Sequence, residues 1–405
     1  MSDDLYKSKE RLQRKIEQIQ KSSEISERNK IDIVNFEGQC ETNERLAPSR
    51  ILTYMCYLEK FSKLTTKDFV DFTKDDVIQL VGKVEREGFV RENEKKKTKE
   101  RFDYSPKSLV MMRVGLKKFF RFLRGVQYPD YPEEVRWLRS TVKHCEEKLP
   151  EIFTPPEMNQ VIDATENSRD KAFVSVAFES ATRPSELINL KIKNVFFDDF
   201  GAFIVVSGKT GSRKIRLILS ASYLATWLDC HPGKQNPENK VWVGIGSTSR
   251  GMDIGHRGAT DILKKAALRA GIRKKVYLYL CRHSRLTQLA QMGFTNEELR
   301  VIAGWKTQEP AQTYLHISGA GVEEKLLKKY GLKPEDENDN IEVVKCPRCK
   351  RVCPPNSNLK ICSNCGLTLD LRTSIESEEK MKILEEKMLK LLENPEIKRL
   401  LLSSS

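Results

Sequence analysis

The chain has 405 residues, with 71 Lys+Arg against 57 Asp+Glu and a formal net charge of +14. At ~100–200 residues per domain this length predicts two or three domains, and 39% hydrophobic with 32% charged residues excludes a collagenous or wholly disordered chain. Apolar runs such as residues 202–206 fall far short of the ~18 residues of a membrane helix, and the charged residues 1–15 hold no secretory signal; the expectation is therefore a cytoplasmic protein with an anionic partner, nucleic acid foremost.

Residues 1–40 read as a charged N-terminal extension, helical or partly disordered, with Leu5, Leu12, Ile16 and Ile19 at helical spacing. Residues 41–147 read as an all-helical domain. Ile51, Tyr54, Met55, Leu58 and Phe61 form one apolar stripe, and a second helix covers 74–87 with Asp75 and Asp76 in its first turn. The Lys- and Glu-rich stretch 91–101 reads as an exposed loop. Ser105 and Pro106 predict the next helix start, as N-cap and first helical residue. Between 107 and 124 that helix carries Lys107, Arg113, Lys117, Lys118, Arg121 and Arg124 with no acid among them. Six cations without an acid read either as a solvated face or as a face that tracks phosphates. A fourth helix is expected over 132–145.

The proline-containing stretch 149–156 predicts a linker and a new helix start, opening a domain over 148–333. Helical patterns at 156–165 and 169–181 lead to strands at 195–197, 202–206 and 215–219, with a turn at 208–214. Helices are expected again at 222–228, 260–270, 284–292, 296–303 and 322–330. An acidic linker, 334–340, precedes a cysteine cluster at 341–371, and 372–405 reads as a charged C-terminal helix interrupted near Pro395. The fold class is thus mainly α with a small antiparallel β-sheet.

The cysteines divide into two groups. Cys40, Cys56, Cys145, Cys230 and Cys281 are scattered and read as reduced thiols. Cys346 and Cys349, then Cys362 and Cys365, form two Cys-x-x-Cys knuckles twelve residues apart, the spacing with which thiolates hold a tetrahedral zinc ion. Disulfides are the competing explanation, and Cys353 is a fifth thiol whose spacing fits less well. The pair of knuckles resembles a zinc ribbon, whose metal would supply most of its folding free energy. Its basic residues suit DNA, and such modules equally suit protein contacts.

Four short segments carry a more specific signal. They are Ala181-Thr182-Arg183-Pro184-Ser185-Glu186-Leu187, Gly208-Lys209-Thr210-Gly211, Tyr279-Leu280-Cys281-Arg282-His283, and Gly304-Trp305 with Tyr314 nine residues after the tryptophan. Each alone has an ordinary explanation. Arg183 and Glu186 could be a surface ion pair, Lys209 a solvated turn lysine, Trp305 and Tyr314 core aromatics, and Tyr279 a strand residue. His283 and His316 read as structural, supporting histidines. In order and spacing, however, the four segments resemble the Arg, Lys, His-x-x-Arg-His and His/Trp–Tyr boxes of the tyrosine recombinase (lambda-type phage integrase) family, in a form similar to archaeal mobile-element integrases.

That resemblance implies a helical SAM-like core DNA-binding domain, a catalytic α+β domain and a homotetramer working on two sites in double-stranded DNA. It assigns the nucleophile to Tyr314, which would form a 3′-phosphotyrosyl link and so conserve the energy of the broken bond without a nucleotide cofactor. Arg183 and Arg282 would stabilise charge on the phosphate, Lys209 would protonate the departing 5′ oxygen, and Trp305 would donate its indole N–H. No catalytic metal is implied. The chain departs from the family at Tyr279, which replaces the first histidine of the box; a phenol of pKa ~10 accepts protons less readily than an imidazole of ~6.5. A type IB topoisomerase-like enzyme and a catalytically silent DNA-binding regulator are the alternatives that the same boxes leave open. The DNA site and the direction of reaction are not written in these residues.

Overall fold

The computed structural model describes residues 7–93, 98–141, 151–208, 211–317, 344–346 and 352–353. They fall in two units, Asp3–Lys148 and Leu149–Ser405. The first contains α1 (Ser8–Lys21), α2 (Glu27–Thr42), α3 (Pro48–Lys63), α4 (Lys74–Glu87), a hairpin of β1 (Phe89–Asn93) and β2 (Thr98–Phe102), α5 (Pro106–Leu123) and the single turn α6 (Glu133–Arg136). Local chemistry sets the helix starts. Ser26 accepts the N–H of Asn29, Thr73 and Asp76 form a reciprocal capping box, and Ser105 caps α5 with Pro106 behind it.

Residues 8–40, expected in an extension beside the helical domain, pack into it. Ile19 and Ile33 are buried, and Phe36 meets the edge of Phe119 at 5.4 Å between centroids. A helix as charged as α1 needs only one stripe, here Leu12, Ile16 and Ile19, to join a core. Asn29 adds a polar anchor: its Oδ1 accepts the backbone N–H of Phe69 at 2.8 Å. Around these lie Phe61, Phe69, Phe119 and Phe120, each contributing roughly 1.5–3 kcal/mol by burial.

Two further expectations are corrected. The loop foreseen at 91–101 is largely the antiparallel β1–β2 hairpin, paired from Phe89 with Phe102 to Asn93 with Thr98; a sequence so rich in Lys, Arg and Glu shows no apolar period-2 alternation. The fourth helix foreseen at 132–145 ends at Arg136, and residues 142–150 lie outside the described residues.

The cations of α5 are braces within this unit. Glu85 on α4 accepts from Arg113 Nε at 3.0 Å. Lys118 and Arg121 both bind Glu44. Arg124 reaches Glu134 at 2.8 Å and the carbonyls of Val70 and Phe72. Lys117 is buried, donating to the carbonyl of Leu138 and lying 4.2 Å from the Tyr131 ring centroid. The acids missing from 107–124 come from other elements, so the expected solvated or phosphate-tracking face is largely committed internally.

The second unit runs α7 (Pro155–Asp163), α8 (Ser168–Glu179), α9 (Pro184–Ile188), β3 (Val195–Asp198), β4 (Gly201–Gly208), β5 (Gly211–Leu217), α10 (Ala221–Asp229), α11 (His256–Arg269), α12 (Leu278–Gln291), α13 (Asn296–Ala303) and α14 (Glu309–Ile317). Strands β3, β4 and β5 form an antiparallel meander. Its end is tied to α8 by Glu179, whose carboxylate accepts the N–H groups of Ile218, Leu219 and Ser220 at 2.7–2.9 Å. Trp242 fills the core and donates its indole N–H to the carbonyl of Leu187 at 2.9 Å, fixing the end of α9. The architecture is mainly helical with small antiparallel sheets, as expected.

Beyond α14 the structure describes the short antiparallel pair β6 (Val344–Lys345) and β7 (Val352–Cys353), with Cys346 buried. Cys349, Cys362 and Cys365 lie outside the described residues, as do the expected helices at 322–330 and 372–405.

Candidate active site

The chain passes from α8 into α9 through Ala181, a non-glycine residue at φ 49°. That left-handed backbone, disfavoured by roughly 1–2 kcal/mol for an L-residue, turns the Ala181 carbonyl toward α12, where Arg282 Nη1 donates to it at 2.7 Å. Arg282 Nη2 donates to the carbonyl of Ala303 at 2.9 Å. Only 3% exposed, this guanidinium is held by two backbone oxygens that no side-chain change can remove. Two of its five N–H donors are used there.

Arg183 occupies the N-cap of α9. Its backbone N–H donates to Glu186 Oε2 at 2.9 Å, Nη1 to Oε1 at 2.8 Å, and Nη2 to the carbonyl of Gly304 at 3.0 Å. Gly304 ends α13 at φ 64°, and an added Cβ would lie 2.7 Å from Arg213 Nη1, so both conformation and space require glycine. The two arginine boxes thus converge on consecutive carbonyls, Ala303 and Gly304, at one helix end.

Glu186 serves a second arginine. Arg213 on β5 forks onto it, Nη1 to Oε1 at 3.0 Å and Nη2 to Oε2 at 2.8 Å, while its Nε donates to the carbonyl of Ile302. Burial by itself raises the Glu186 pKa, but the Arg213 fork and the Arg183 backbone donor prevail and hold it at about 2. Arg282 is pushed down to about 10, first by burial and then by Arg183 and Arg213 nearby. Three guanidinium groups and one carboxylate leave excess positive charge, suited to an anion such as phosphate.

Tyr314 on α14 is 5% exposed and sits between two rings. Trp305 stacks on it at 5.6 Å between centroids and 23°, and His283 at 6.0 Å and 25°. The Trp305 ring also faces the Arg282 guanidinium at 5.4 Å. The Tyr314 hydroxyl lies 2.7 Å from His283 Nδ1. Burial pushes the phenol above its ordinary pKa, with Arg282 opposing. Burial, then Arg282, push His283 below its own.

The structure therefore brings Arg183, Arg282, Trp305 and Tyr314 together. Tyr279 is a helical residue of α12, not a strand residue; it is 40% exposed and one turn before His283, with rings 6.2 Å apart. Lys209 lies outside the described residues, but Gly208 before it presses on Glu186, where a Cβ would come within 2.4 Å of Oε1. The side chain of His316 also lies outside them. Sequence reasoning missed Arg213, placing it in a turn. Its parity with the buried Ile215 and Leu217 on β5 was the available signal.

Residues 151–320 match the phage integrase family. The chain is 24% identical over 258 residues, 62% of its length, to a tyrosine recombinase of Pseudothermotoga lettingae, covering 84% of that protein. It is 23% identical over 277 residues to the tyrosine recombinase XerA of Thermococcus onnurineus, covering 68% of this chain and 87% of that one. Its fold is similar to that of the XerH site-specific recombinase in a post-cleavage complex with palindromic difH substrate (TM-score 0.55, 15% identity, 82% of this chain and 98% of that one). It also resembles the lambda integrase of a tetramer bound to a Holliday junction (TM-score 0.52, 13% identity, 71% and 77%). Among the described residues, no helix is long and apolar enough to cross a membrane. Residues 151–320 thus match the phage integrase family, and over 62–68% of its length the chain is similar to tyrosine recombinases.

Proposed function

We propose that the protein is a site-specific DNA recombinase or integrase that cuts and rejoins duplex DNA through a phosphotyrosyl link at Tyr314. The observation that carries this is the convergence of Arg183 and Arg282 on the Ala303–Gly304 turn, with Trp305 joining Arg282 to Tyr314. The Tyr314 oxygen attacks the scissile phosphorus, the bond to the 5′ oxygen breaks, and the 3′ end stays on the protein. The guanidinium groups stabilise the charge that gathers on the phosphate. Lys209 protonates the leaving oxygen, and Trp305 offers an N–H to a phosphate oxygen. A 5′ hydroxyl from a second site then attacks the phosphotyrosine and restores a phosphodiester. Two sites with two strands each call for four protomers, the assembly named for lambda integrase on a Holliday junction.

A pool of nicked duplexes with randomised cores tests this reading, with adducts scored after denaturation in detergent. Wild-type protein is expected to leave a covalent adduct that Tyr314→Phe does not form. DNA binding without an adduct would make the protein a silent regulator. Relaxation of supercoiled plasmid without exchange between selected sites would make it topoisomerase-like. An adduct in Tyr314→Phe would move the nucleophile elsewhere.

We further propose that Cys346, Cys349, Cys362 and Cys365 hold one structural zinc ion, supported by the two Cys-x-x-Cys spacings. One zinc per chain, lost in the paired Cys362→Ser and Cys365→Ser variant, is the expected elemental analysis.

A further inference from the structure

Tyr279 stands where the resemblance places a histidine, yet it is an exposed phenol at the rim of the site. The imidazole that touches the nucleophile is another one. His283 lies one turn along α12, with Nδ1 2.7 Å from the Tyr314 hydroxyl and its ring stacked on that of Tyr314. We propose that His283 is the general base of this enzyme, taking the Tyr314 proton at Nδ1 as the phenol oxygen attacks phosphorus. This inference rests on the recombinase reading and adds a catalytic residue to it.

The proton balance closes within the site. The O–P bond forms as the O–H proton passes to His283, giving an imidazolium. The P–O5′ bond breaks as the leaving oxygen takes a proton from Lys209. When a 5′ hydroxyl attacks the phosphotyrosine, its proton replaces the one on Lys209, and the imidazolium returns the other to the phenol. No metal or outside reagent enters.

The surroundings suit such a base. Burial and the adjacent Arg282 keep His283 neutral, and a neutral imidazole is the form able to accept. Burial also keeps Tyr314 protonated, so the phenol needs help at neutral pH. A phosphate seated on Arg282 would offset the positive charge that weakens His283, strengthening the base only when DNA is in place. Arg282 and Tyr279 on α12, Tyr277 just before it, and Tyr314 on α14 are the titratable groups to consider in any pH profile.

The test uses the full chain and nicked duplexes selected by wild-type protein, carrying a 5′-bridging phosphorothiolate. Sulfur leaves without an acid, so Lys209 no longer contributes and the remaining pH dependence belongs to the nucleophile. His283→Gln, which can hold the hydroxyl but cannot take its proton, is expected to form adduct about 10²–10³ times more slowly than wild type at pH 7. The gap should narrow steadily as pH rises toward the ionisation of Tyr314, which burial places above the ~10 of a free phenol, because hydroxide then removes the proton unaided. A His283→Gln rate within about threefold of wild type, or a deficit that stays constant with pH, would overturn the proposal. Nitrogen NMR of histidine-labelled, DNA-free protein provides a check that needs no variant activity. An unprotonated Nδ1 in the resonance missing from His283→Gln supports the assignment, and a protonated Nδ1 refutes it. Wild-type protein with no adduct would instead remove the recombinase reading itself.

Discussion

Helix α5 and the Arg183–Arg213–Arg282 cluster use the same kind of side chain in opposite ways. Along α5 the cations are distributed over Glu44, Glu85 and Glu134, the Tyr131 ring and backbone carbonyls of separate segments. Lys118 and Arg121 share Glu44, and the other contacts tie α5 to further pieces of its own unit. In the second unit Arg183 and Arg213 share Glu186, with Arg282 close enough to feel both. Dispersed cations act as braces, whereas converged cations repel one another until an anion arrives. Counting charge along the chain does not separate these cases; counting partners does.

Arg282→Lys gives the sharpest challenge to that distinction. A lysine keeps the charge but not the fork across the Ala181 and Ala303 carbonyls, and adduct formation should fall about 10²–10³-fold. Arg121→Lys on α5 should leave the rate unchanged. Equal rates for all three proteins would erase the difference between brace and site.

Next is Glu186→Gln, which leaves two guanidinium groups without their shared carboxylate in a buried place. A loss of about 3–5 kcal/mol in urea unfolding is expected, against about 1 kcal/mol or less for Glu85→Gln, whose pair with Arg113 is partly exposed. Similar losses would show that Glu186 is an ordinary ion pair.

The pH dependence of stability follows from the same carboxylate. Its folded pKa of about 2 lies below the usual 4.5, so folding binds fewer protons there than unfolding does. The stability contributed, on the order of 3 kcal/mol, is present above pH 4.5 and is lost as pH falls toward 2. Thermal melts across that window should slope steeply for wild type and less for Glu186→Gln. The smallest effect is expected from Glu44→Gln on the α5 side, about 0.5–1 kcal/mol, with no change in cleavage.

Much of the local structure was legible because its causes are local. Ser105 and Pro106 announce α5, and the Thr154-Pro155-Pro156-Glu157 run announces α7 through a capping box. The hairpin at β1–β2 was not legible, because its Lys-, Arg- and Glu-rich sequence has no apolar alternation to detect. Within the site, Arg183, Arg282, Trp305 and Tyr314 could be proposed from order and spacing. Glu186 could be paired with Arg183 by its position one turn later. Its bond to Arg213 crosses from α9 to β5, so no period in either segment reveals it.

By itself the sequence determined several helix starts, the mainly α class and the order of the four boxes, since capping, turn chemistry and spacing act over a few residues. Only the tertiary structure decided that α1 and α2 join the core and that the α5 cations are spent on internal acids. It alone placed His283, rather than Tyr279, on the oxygen of Tyr314. These outcomes depend on which side chains meet across elements distant in the chain. Such meetings follow from how helices and strands pack against one another, a property that no single segment contains.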